Sequence, residues 1–314
     1  MAIRSKRTVI WAIGIVAAML LLAGAALQFA IWRNGPAVLD NVDRLTGGDR
    51  GTMQLATETL GASDARKILV FGPQEVDAKA AQLPVLLFVH GGSWNKGDPT
   101  DYGFIARAFS PEGFIVVLAG YRLHPEAVYP AMLEDTAAAI AWTHENIAQF
   151  GGDPTRITVS GHSAGAYNVV MTALEKRWLA EHDIDANALA GVVGLAGPYD
   201  FYPFDSDSTH ASFGHAEEAE ATQPINHVRE DAPAKLLIHG EEDTLVRPRN
   251  TRELASRLQK VGAEVKVLFL PDMDHNRPLL ALASPWRKQP EVFSSIVEFA
   301  REARASVQVQ DEIG

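Results

Sequence analysis

The stretch "ITVSGHSAGAYNVV", residues 157–170, decides the fold. It opens with β-branched and apolar residues typical of a buried strand and ends with residues that favour a helix. Between them, Ser163 is framed by Gly161 and Gly165. A strand, a glycine-framed serine and a helix are the context of a nucleophile elbow, a sharp turn that exposes the serine. The alternative interpretation is an ordinary glycine-containing turn with a solvent-facing serine.

The pattern around this stretch alternates between short apolar runs and helix-like segments. The apolar runs, bounded by Gly, Pro or Asp, lie at residues 67–71, 85–90, 114–121, 156–161, 189–197, 235–240 and 264–270. The helix-like segments lie at residues 101–110, 131–150, 164–180, 249–261 and 290–305. Such alternation predicts an α/β fold with a mostly parallel central sheet and helices on both faces.

Composition excludes several classes of protein. The formal net charge is −11, and no basic cluster occurs outside the extreme N-terminus, which argues against a nucleic-acid partner. Cysteine is absent, so the chain has neither disulfides nor a cysteine nucleophile. Four acidic and histidine residues in one loop match no known metal-ligand spacing: Asp205, Asp207, His210 and His215. We expect no metal and no cofactor.

The N-terminal region has the features of a membrane anchor. Three basic residues, Arg4, Lys6 and Arg7, precede 25 residues without a charge, Thr8–Trp32. A helix of that length reaches ~37 Å, enough to cross a ~30 Å hydrocarbon core. The basic residues predict a cytoplasmic N-terminus and an extracytoplasmic domain. The alternative is a signal peptide cleaved near Ala23–Ala26, which would give a secreted protein.

The domain boundaries follow from these segments. We expect a cytoplasmic basic tail at 1–7, a transmembrane anchor at 8–32, and a linker with an irregular lead-in at 33–66. The main domain is predicted to span 67–305, followed by a C-terminal tail at 306–314. Within the domain, residues 198–232 interrupt the strand–helix alternation and are expected to form a lid or pocket wall.

A serine hydroxyl needs a base to act as a nucleophile, and the base needs an acid to orient it. Behind a nucleophile elbow the chain order is serine, acid, histidine. The strand at 235–240 is followed by Glu241, Glu242 and Asp243, of which Asp243 is the predicted acid. His275 follows the last predicted strand and is the only histidine after Asp243. Order along the chain therefore predicts Ser163, Asp243 and His275 as the catalytic residues.

A loop after an early strand has the composition of an oxyanion hole. In "FVHGGSWNKGD", residues 88–98, the glycines allow backbone N–H groups to approach a substrate oxygen. Ala164, directly after the nucleophile, is the expected further donor. The alternative is a plain strand-to-helix loop.

With these motifs in order, the sequence resembles the α/β-hydrolase superfamily, in its carboxylesterase and hormone-sensitive-lipase-like branch. The resemblance covers about residues 67–305. It rests on "HGGSW" (90–94), "YRLHPE" (121–126), "FGGDPTRITVSGHSAGA" (150–166), "LLIHGEEDTLV" (236–246) and "DMDH" (272–275). It implies Ser163 as nucleophile, His275 as general base and acid, and Asp243 as its orienting acid. The N–H groups of Gly92, Ser93 and Ala164 match the oxyanion positions.

One departure narrows the resemblance. The lipase-like branch usually reads HGGG, whereas Ser93 stands at the third glycine. This makes the chain more similar to the HGG-x-W members, which resemble feruloyl esterases and kynurenine formamidases. The expected function is hydrolysis of small carboxylic esters through an acyl-enzyme. The alternatives are an aryl formamidase or other amide hydrolase on the same residues and a non-catalytic binding protein. Oligomeric state is left open.

Overall fold

The computed structural model of the chain describes residues 2–48, 50–75, 82–288 and 290–304. In this part the strands form one sheet in the order β1-β2-β4-β3-β5-β6-β7-β8. Their bounds are β1 Thr52–Thr59, β2 Lys67–Pro73, β3 Leu83–Val89, β4 Ile115–Ala119, β5 Gly152–His162, β6 Gly191–Leu195, β7 Lys235–Gly240 and β8 Val265–Leu270. β2 pairs antiparallel with β1 and β4, and the remaining neighbours are parallel.

Helices cover both faces of this sheet. They are α1 Ala2–Asp43, α2 Gly103–Phe109, α3 Ala131–Asn146, α4 Ala164–Leu174, α5 Arg177–Ala180, α6 Asp207–Phe213, α7 Arg249–Lys260, α8 Arg277–Leu280 and α9 Pro290–Glu302. One buried core contains side chains of α3, α4 and α7, and the other contains side chains of α2, α8 and α9. The predicted mostly parallel sheet with helices on both faces is confirmed.

Strand β3 shows why the apolar runs are continuous instead of alternating. Val85, Leu87 and Val89 pack into the core below α3 and α4. Leu86 and Phe88 pack into the core below α2 and α9. Because successive side chains point to opposite faces, a strand covered on both sides needs apolar residues at every position.

The predicted linker at 33–66 is more ordered than its sequence indicated. Helix α1 is interrupted at Asn34, and a second helical segment runs from there to Asp43. Asn34 caps this segment by accepting the N–H of Ala37 at 3.2 Å, and Pro36 lies in its first turn. β1 then pairs along the edge of the sheet with β2. Pairing and packing, which weak periodicity does not reveal, stabilise both elements.

A buried ion cluster fixes the end of α1 to the domain. Arg107 of α2 donates to Asp40 and to Asp43, each at 2.6 Å. Arg287 lies 3.0 Å from the other oxygen of Asp43, which also accepts the backbone N–H of Ser284 at 2.7 Å. Asp43 is fully buried. Since a buried carboxylate is stable only when paired, this cluster makes residues 34–43 part of the folded domain.

The earlier part of α1 is long and apolar enough to cross a membrane. Its apolar window has a mean hydropathy of 2.2 and no residue buried against the domain. A signal sequence shares these properties. The predicted C-terminal tail, residues 306–314, lies outside the described residues.

Residues 198–232 form a structured wall with short helices. Ser206 and Thr209 make a capping box that starts α6. At its end, Phe213 packs edge-on against Trp94 and Tyr167, with ring centroids 4.7 and 5.3 Å apart. This packing places the segment next to the glycine-containing loop after β3.

Candidate active site

The turn between β5 and α4 holds Ser163 at its tip in a strained conformation. The residue has φ 56° and ψ −120°, outside the regions that side-chain-bearing residues prefer. Its N–H donates to the carbonyl of Leu195 at 2.8 Å, and its own carbonyl accepts from Tyr167 at 3.1 Å. The flanking strand and helix therefore hold the serine at the tip of the turn.

The two flanking glycines are required by close backbone approach. A Cβ on Gly161 would lie 2.4 Å from the carbonyl carbon of Gly165. A Cβ on Gly165 would lie 2.1 Å from the carbonyl oxygen of Val89. Any side chain at either position would push α4 away from β5 or β3. Close packing of the backbone therefore accounts for the two glycines, and an ordinary turn would not require them.

The structure brings Ser163, His275 and Asp243 together. Nε2 of His275 lies 2.9 Å from Oγ of Ser163, and Nδ1 of His275 lies 2.7 Å from Oδ2 of Asp243. An ionised carboxylate only accepts, so Nδ1 carries the hydrogen and Nε2 is free to accept from the serine. All three residues are buried. Asp243 and His275 follow β7 and β8, the strands that bring them to the same edge of the sheet as Ser163.

Four donors hold Asp243 as a carboxylate. The N–H groups of Leu245 and Val246 donate to its Oδ1, each at 2.9 Å. His239 Nε2 lies 3.2 Å from the same Oδ2 that His275 contacts. Burial alone would raise the pKa of Asp243, but hydrogen bonds from His239 and His275 outweigh it and hold that pKa below its usual range.

His162 positions the backbone of the candidate base. Its Nε2 donates to the carbonyl oxygen of His275 at 2.9 Å, and the two rings lie 4.9 Å apart. Burial lowers the pKa of His162 to about 3, so the ring stays neutral near pH 7. The sequence shows His162 directly before Ser163 and His239 four residues before Asp243, but it predicts no role for either histidine. Their hydrogen bonds depend on contacts between distant strands, which the sequence does not display.

The loop after β3 presents unpaired donors beside the serine. Gly92, Ser93 and Trp94 all have positive φ, at 120°, 54° and 57°. Lys96 closes the loop by donating its N–H to Gly92 at 3.2 Å. Among the described residues, the N–H groups of Gly92 and Ser93 donate to no protein acceptor. Ala164, at the first position of α4, has an N–H that the helix leaves free.

His90 packs against this loop. Its ring stacks on Tyr121 with centroids 4.6 Å apart, and its Nδ1 donates to the carbonyl of Gly91 at 2.8 Å. Burial lowers the pKa of His90 to about 4, so the ring is neutral near pH 7. Its contacts indicate a structural role in the loop.

A cavity of about 450 Å³ opens over the serine. Ser93, Ser163 and Ala164 line it on one side, and residues 198–209 and 244–250 contribute most of the remainder. Its volume is in the range of small-molecule sites. In the described part of the chain, no group of acidic and histidine side chains is arranged to hold a metal ion.

Comparison with known proteins places this geometry in a family. The BD-FAE family model matches residues 74–258, more than half of the chain. This range contains Ser163 and Asp243 and ends before His275. The previously described glycine-containing loop, at residues 90–94, also lies inside it.

Curated relatives and solved structures agree with the family model. Esterase LipQ of Mycobacterium tuberculosis is 32% identical over 65% of this chain and 52% of its own length. Esterase LipC of the same organism is 30% identical over 70% of this chain and 59% of its length. The chain thus spans little more than half the length of these relatives. A thermostable esterase from Pseudomonas putida superposes with a TM-score of 0.67 at 24% identity, over 85% of this chain and 88% of that one. This likeness confirms the α/β-hydrolase fold.

Proposed function

This chain belongs to the BD-FAE family of α/β hydrolases, and we propose that it hydrolyses small carboxylic esters with Ser163 as the nucleophile. The observation that carries the proposal is the continuous hydrogen-bonded chain from Ser163 through His275 to Asp243. The relatives named esterases support the choice of an ester bond over other acyl bonds. The volume of the cavity above Ser163, about 450 Å³, supports a small substrate.

In the first half of the proposed reaction, the hydroxyl of Ser163 attacks the ester carbonyl while Nε2 of His275 takes its proton. The carbonyl oxygen becomes an oxyanion that accepts from the N–H groups of Gly92, Ser93 and Ala164. As the tetrahedral intermediate collapses, His275 returns the proton to the departing alcohol. Ser163 is then acylated.

In the second half, water replaces the alcohol. His275 takes a proton from the water, which attacks the acyl carbon, and then returns a proton to Oγ of Ser163. The products are the carboxylic acid and the free enzyme. Asp243 remains ionised throughout and keeps the hydrogen of His275 on Nδ1.

The experiment that tests the proposed function uses the full chain in detergent with p-nitrophenyl acetate, p-nitrophenyl butyrate and N-formylaniline as substrates. A fluorophosphonate probe measures serine reactivity independently of substrate choice. We expect probe labelling at Ser163 and faster turnover of the two esters than of the formamide. Preferred cleavage of the formamide would replace the ester assignment with a formamidase. Absence of both labelling and turnover in folded protein would favour a non-catalytic binding protein.

We further propose that α1 anchors the chain in a membrane with its N-terminus in the cytoplasm. Arg4, Lys6 and Arg7 on one side of the uncharged run support this orientation. Trp11 and Trp32 lie toward the ends of the run, where interfacial aromatic residues are favoured. The catalytic domain would then lie outside the cytoplasm.

Gly92→Ala tests the proposed oxyanion loop. A Cβ at this position would lie 2.0 Å from the carbonyl oxygen of Lys96, and φ 120° is a backbone conformation that glycine adopts and L-residues rarely do. The loop must shift, which moves the donors away from the oxyanion. We expect kcat to fall by on the order of 10²-fold or more while KM changes little.

Ser93→Ala is the matched control, because the backbone donor of residue 93 survives and the side chain changes by one oxygen. Its kcat should stay near that of the unmodified enzyme. Thermal melting of both variants reports whether the fold is intact. If folded Gly92→Ala keeps full kcat, the oxyanion is bound elsewhere.

A further inference from the structure

The end of α1 lies at the same edge of the sheet as Ser163. Asn34 donates from Nδ2 to Asp101 at 2.7 Å, and Asp101 belongs to the short helix Pro99–Tyr102 that precedes α2. A Cβ on Gly120, directly after β4, would lie 3.0 Å from Cδ of Pro99. This short helix therefore lies at the carboxyl edge of the parallel strands, where β5 ends at the nucleophile turn.

From this edge, residues 34–43 of α1 and helix α2 lie side by side and run towards the amino ends of the parallel strands. Asp40 and Asp43 contact Arg107 on the second turn of α2, and Gly51 approaches Pro111 beyond the end of α2. The chain thus descends from Asn34 at the carboxyl edge towards the amino edge. The apolar part of α1 therefore joins the domain at the carboxyl edge, at Asn34.

Little chain separates the apolar helix from this contact. Trp32, at the end of the uncharged run, is 74% exposed. Two residues further, Asn34 is bonded to Asp101. Two residues span at most ~7 Å. The backbone of Asn34, and with it the carboxyl edge near Asp101, therefore lies within about that distance of the backbone of Trp32. The ion cluster of Asp40, Asp43 and Arg107 prevents the domain from swinging away on a flexible linker.

The rim of the cavity carries apolar side chains on this side. Tyr202 and Leu245 line the cavity with Ser163 and are 42% and 69% exposed. Both belong to loops that follow parallel strands at their carboxyl ends. Single exposed apolar side chains also occur elsewhere, as at Leu45 and Met53. The main evidence for the orientation of the cavity is therefore the position of α1, and the apolar rim is consistent with it.

We propose that the mouth of the cavity faces the lipid bilayer that holds α1, and that the substrates are esters dissolved in that bilayer or lying at its surface. This inference rests on the proposed ester hydrolysis and on the proposed membrane anchor. The proposed substrate class is thus esters that partition into the lipid bilayer. A soluble ester would reach the same serine only from the narrow aqueous layer between the domain and the membrane.

The absence of cysteine allows a direct test of orientation. Leu245→Cys places a single thiol at the rim, and Lys260→Cys places one at the end of α7, next to the amino edge where β8 begins. Both side chains are exposed. Each variant of the full chain is labelled with a nitrobenzoxadiazole fluorophore and reconstituted into phosphatidylcholine vesicles. A nitroxide-bearing phosphatidylcholine then quenches fluorophores that lie near the bilayer.

We expect several-fold stronger quenching at residue 245 than at residue 260. Equal quenching at the two positions, or stronger quenching at residue 260, overturns the proposal. Failure of the chain to stay in vesicles after carbonate washing overturns it as well, because the anchor would then be absent. None of these readouts needs activity, so failure of the proposed ester hydrolysis is recognised separately by the probe and substrate panel.

A second arm measures the consequence for substrates. A flexible Gly-Ser spacer inserted between Arg33 and Asn34 leaves the cap at Asn34 and the ion cluster unchanged. The chain stays anchored, but the domain is no longer held close to the bilayer surface. We expect hydrolysis of a vesicle-dissolved long-chain p-nitrophenyl ester to fall several-fold, with p-nitrophenyl acetate hydrolysis unchanged. Unchanged hydrolysis of both esters would contradict the proposed substrate class.

Discussion

Ser163→Ala is expected to reduce kcat for ester hydrolysis by on the order of 10⁶-fold, since removing a nucleophile removes every step of covalent catalysis. Among the described residues, the hydrogen bond of Oγ of Ser163 is to Nε2 of His275, at 2.9 Å. The strained backbone of the turn is held by the N–H and carbonyl of residue 163, which alanine keeps. The variant should therefore fold, with an unchanged melting temperature, and lose fluorophosphonate labelling together with activity.

Ser160→Ala is the matched control for this variant. Ser160 lies on β5, the strand that leads to Ser163, and is also buried, but its hydroxyl donates to the carbonyl of Leu87 at 3.0 Å, away from His275. Its loss should affect stability more than kcat. Combining Ser163→Ala with His275→Ala should hardly lower activity beyond either single variant, because residues that act as one unit are not additive. Substantial hydrolysis by folded Ser163→Ala would end the serine-hydrolase proposal.

The sequence predicted those parts of the fold that depend on local pattern. All seven predicted apolar runs coincide with β2 to β8, because strands buried on both faces show uninterrupted apolar residues such as Val85 to Val89. Strand β1 was not predicted. It lies at the edge of the sheet, and five of its eight residues, Thr52–Thr59, are polar. Residues 34–43 were assigned to a linker because their order comes from Arg107 and Arg287, far away along the chain.

The same division applies to the candidate site. Chain order predicted Ser163 and His275 as single candidates and narrowed the acid to the three residues after β7, of which Asp243 was chosen. The roles of His162 and His239 depend on which backbone oxygens reach their ring nitrogens, which only the folded chain defines. For residues 92 and 93, a glycine-rich loop was recognisable. Its unpaired N–H groups and positive φ angles were not.

The choice of Asp243 over its acidic neighbours illustrates how far order alone reaches. Glu241, Glu242 and Asp243 all follow β7, and the sequence placed the acid within one or two residues. In the structure, Glu241 pairs with Arg252 and Glu242 is exposed. The backbone turns at residue 243 because the N–H groups of Leu245 and Val246 bind its carboxylate. That turn directs the other oxygen towards His275.

Asp243→Asn is expected to lower kcat by about 10⁴-fold, as the corresponding change does in serine proteases. The surroundings of Asp243 fix which way the new amide points. Its carbonyl oxygen is expected at the Oδ1 position, because the N–H groups of Leu245 and Val246 both require an acceptor there. The Nε2–H of His239, which contacts Oδ2, keeps the carbonyl of Val246 as its acceptor at 2.8 Å. Its NH₂ group then faces Nδ1 of His275, previously 2.7 Å from Oδ2.

An amide NH₂ donates, so Nδ1 of His275 must lose its hydrogen and Nε2 must carry one. A protonated Nε2 cannot take the proton of Ser163, and the serine remains a weak nucleophile. The loss should therefore fall on kcat, with little change in KM or melting temperature. Glu242→Gln is the matched control, since it removes one charge at an exposed neighbour and should leave kcat unchanged. If Glu242→Gln abolishes hydrolysis and Asp243→Asn spares it, the acid is Glu242, and the hydrogen bond between Asp243 and His275 serves only to hold the loop.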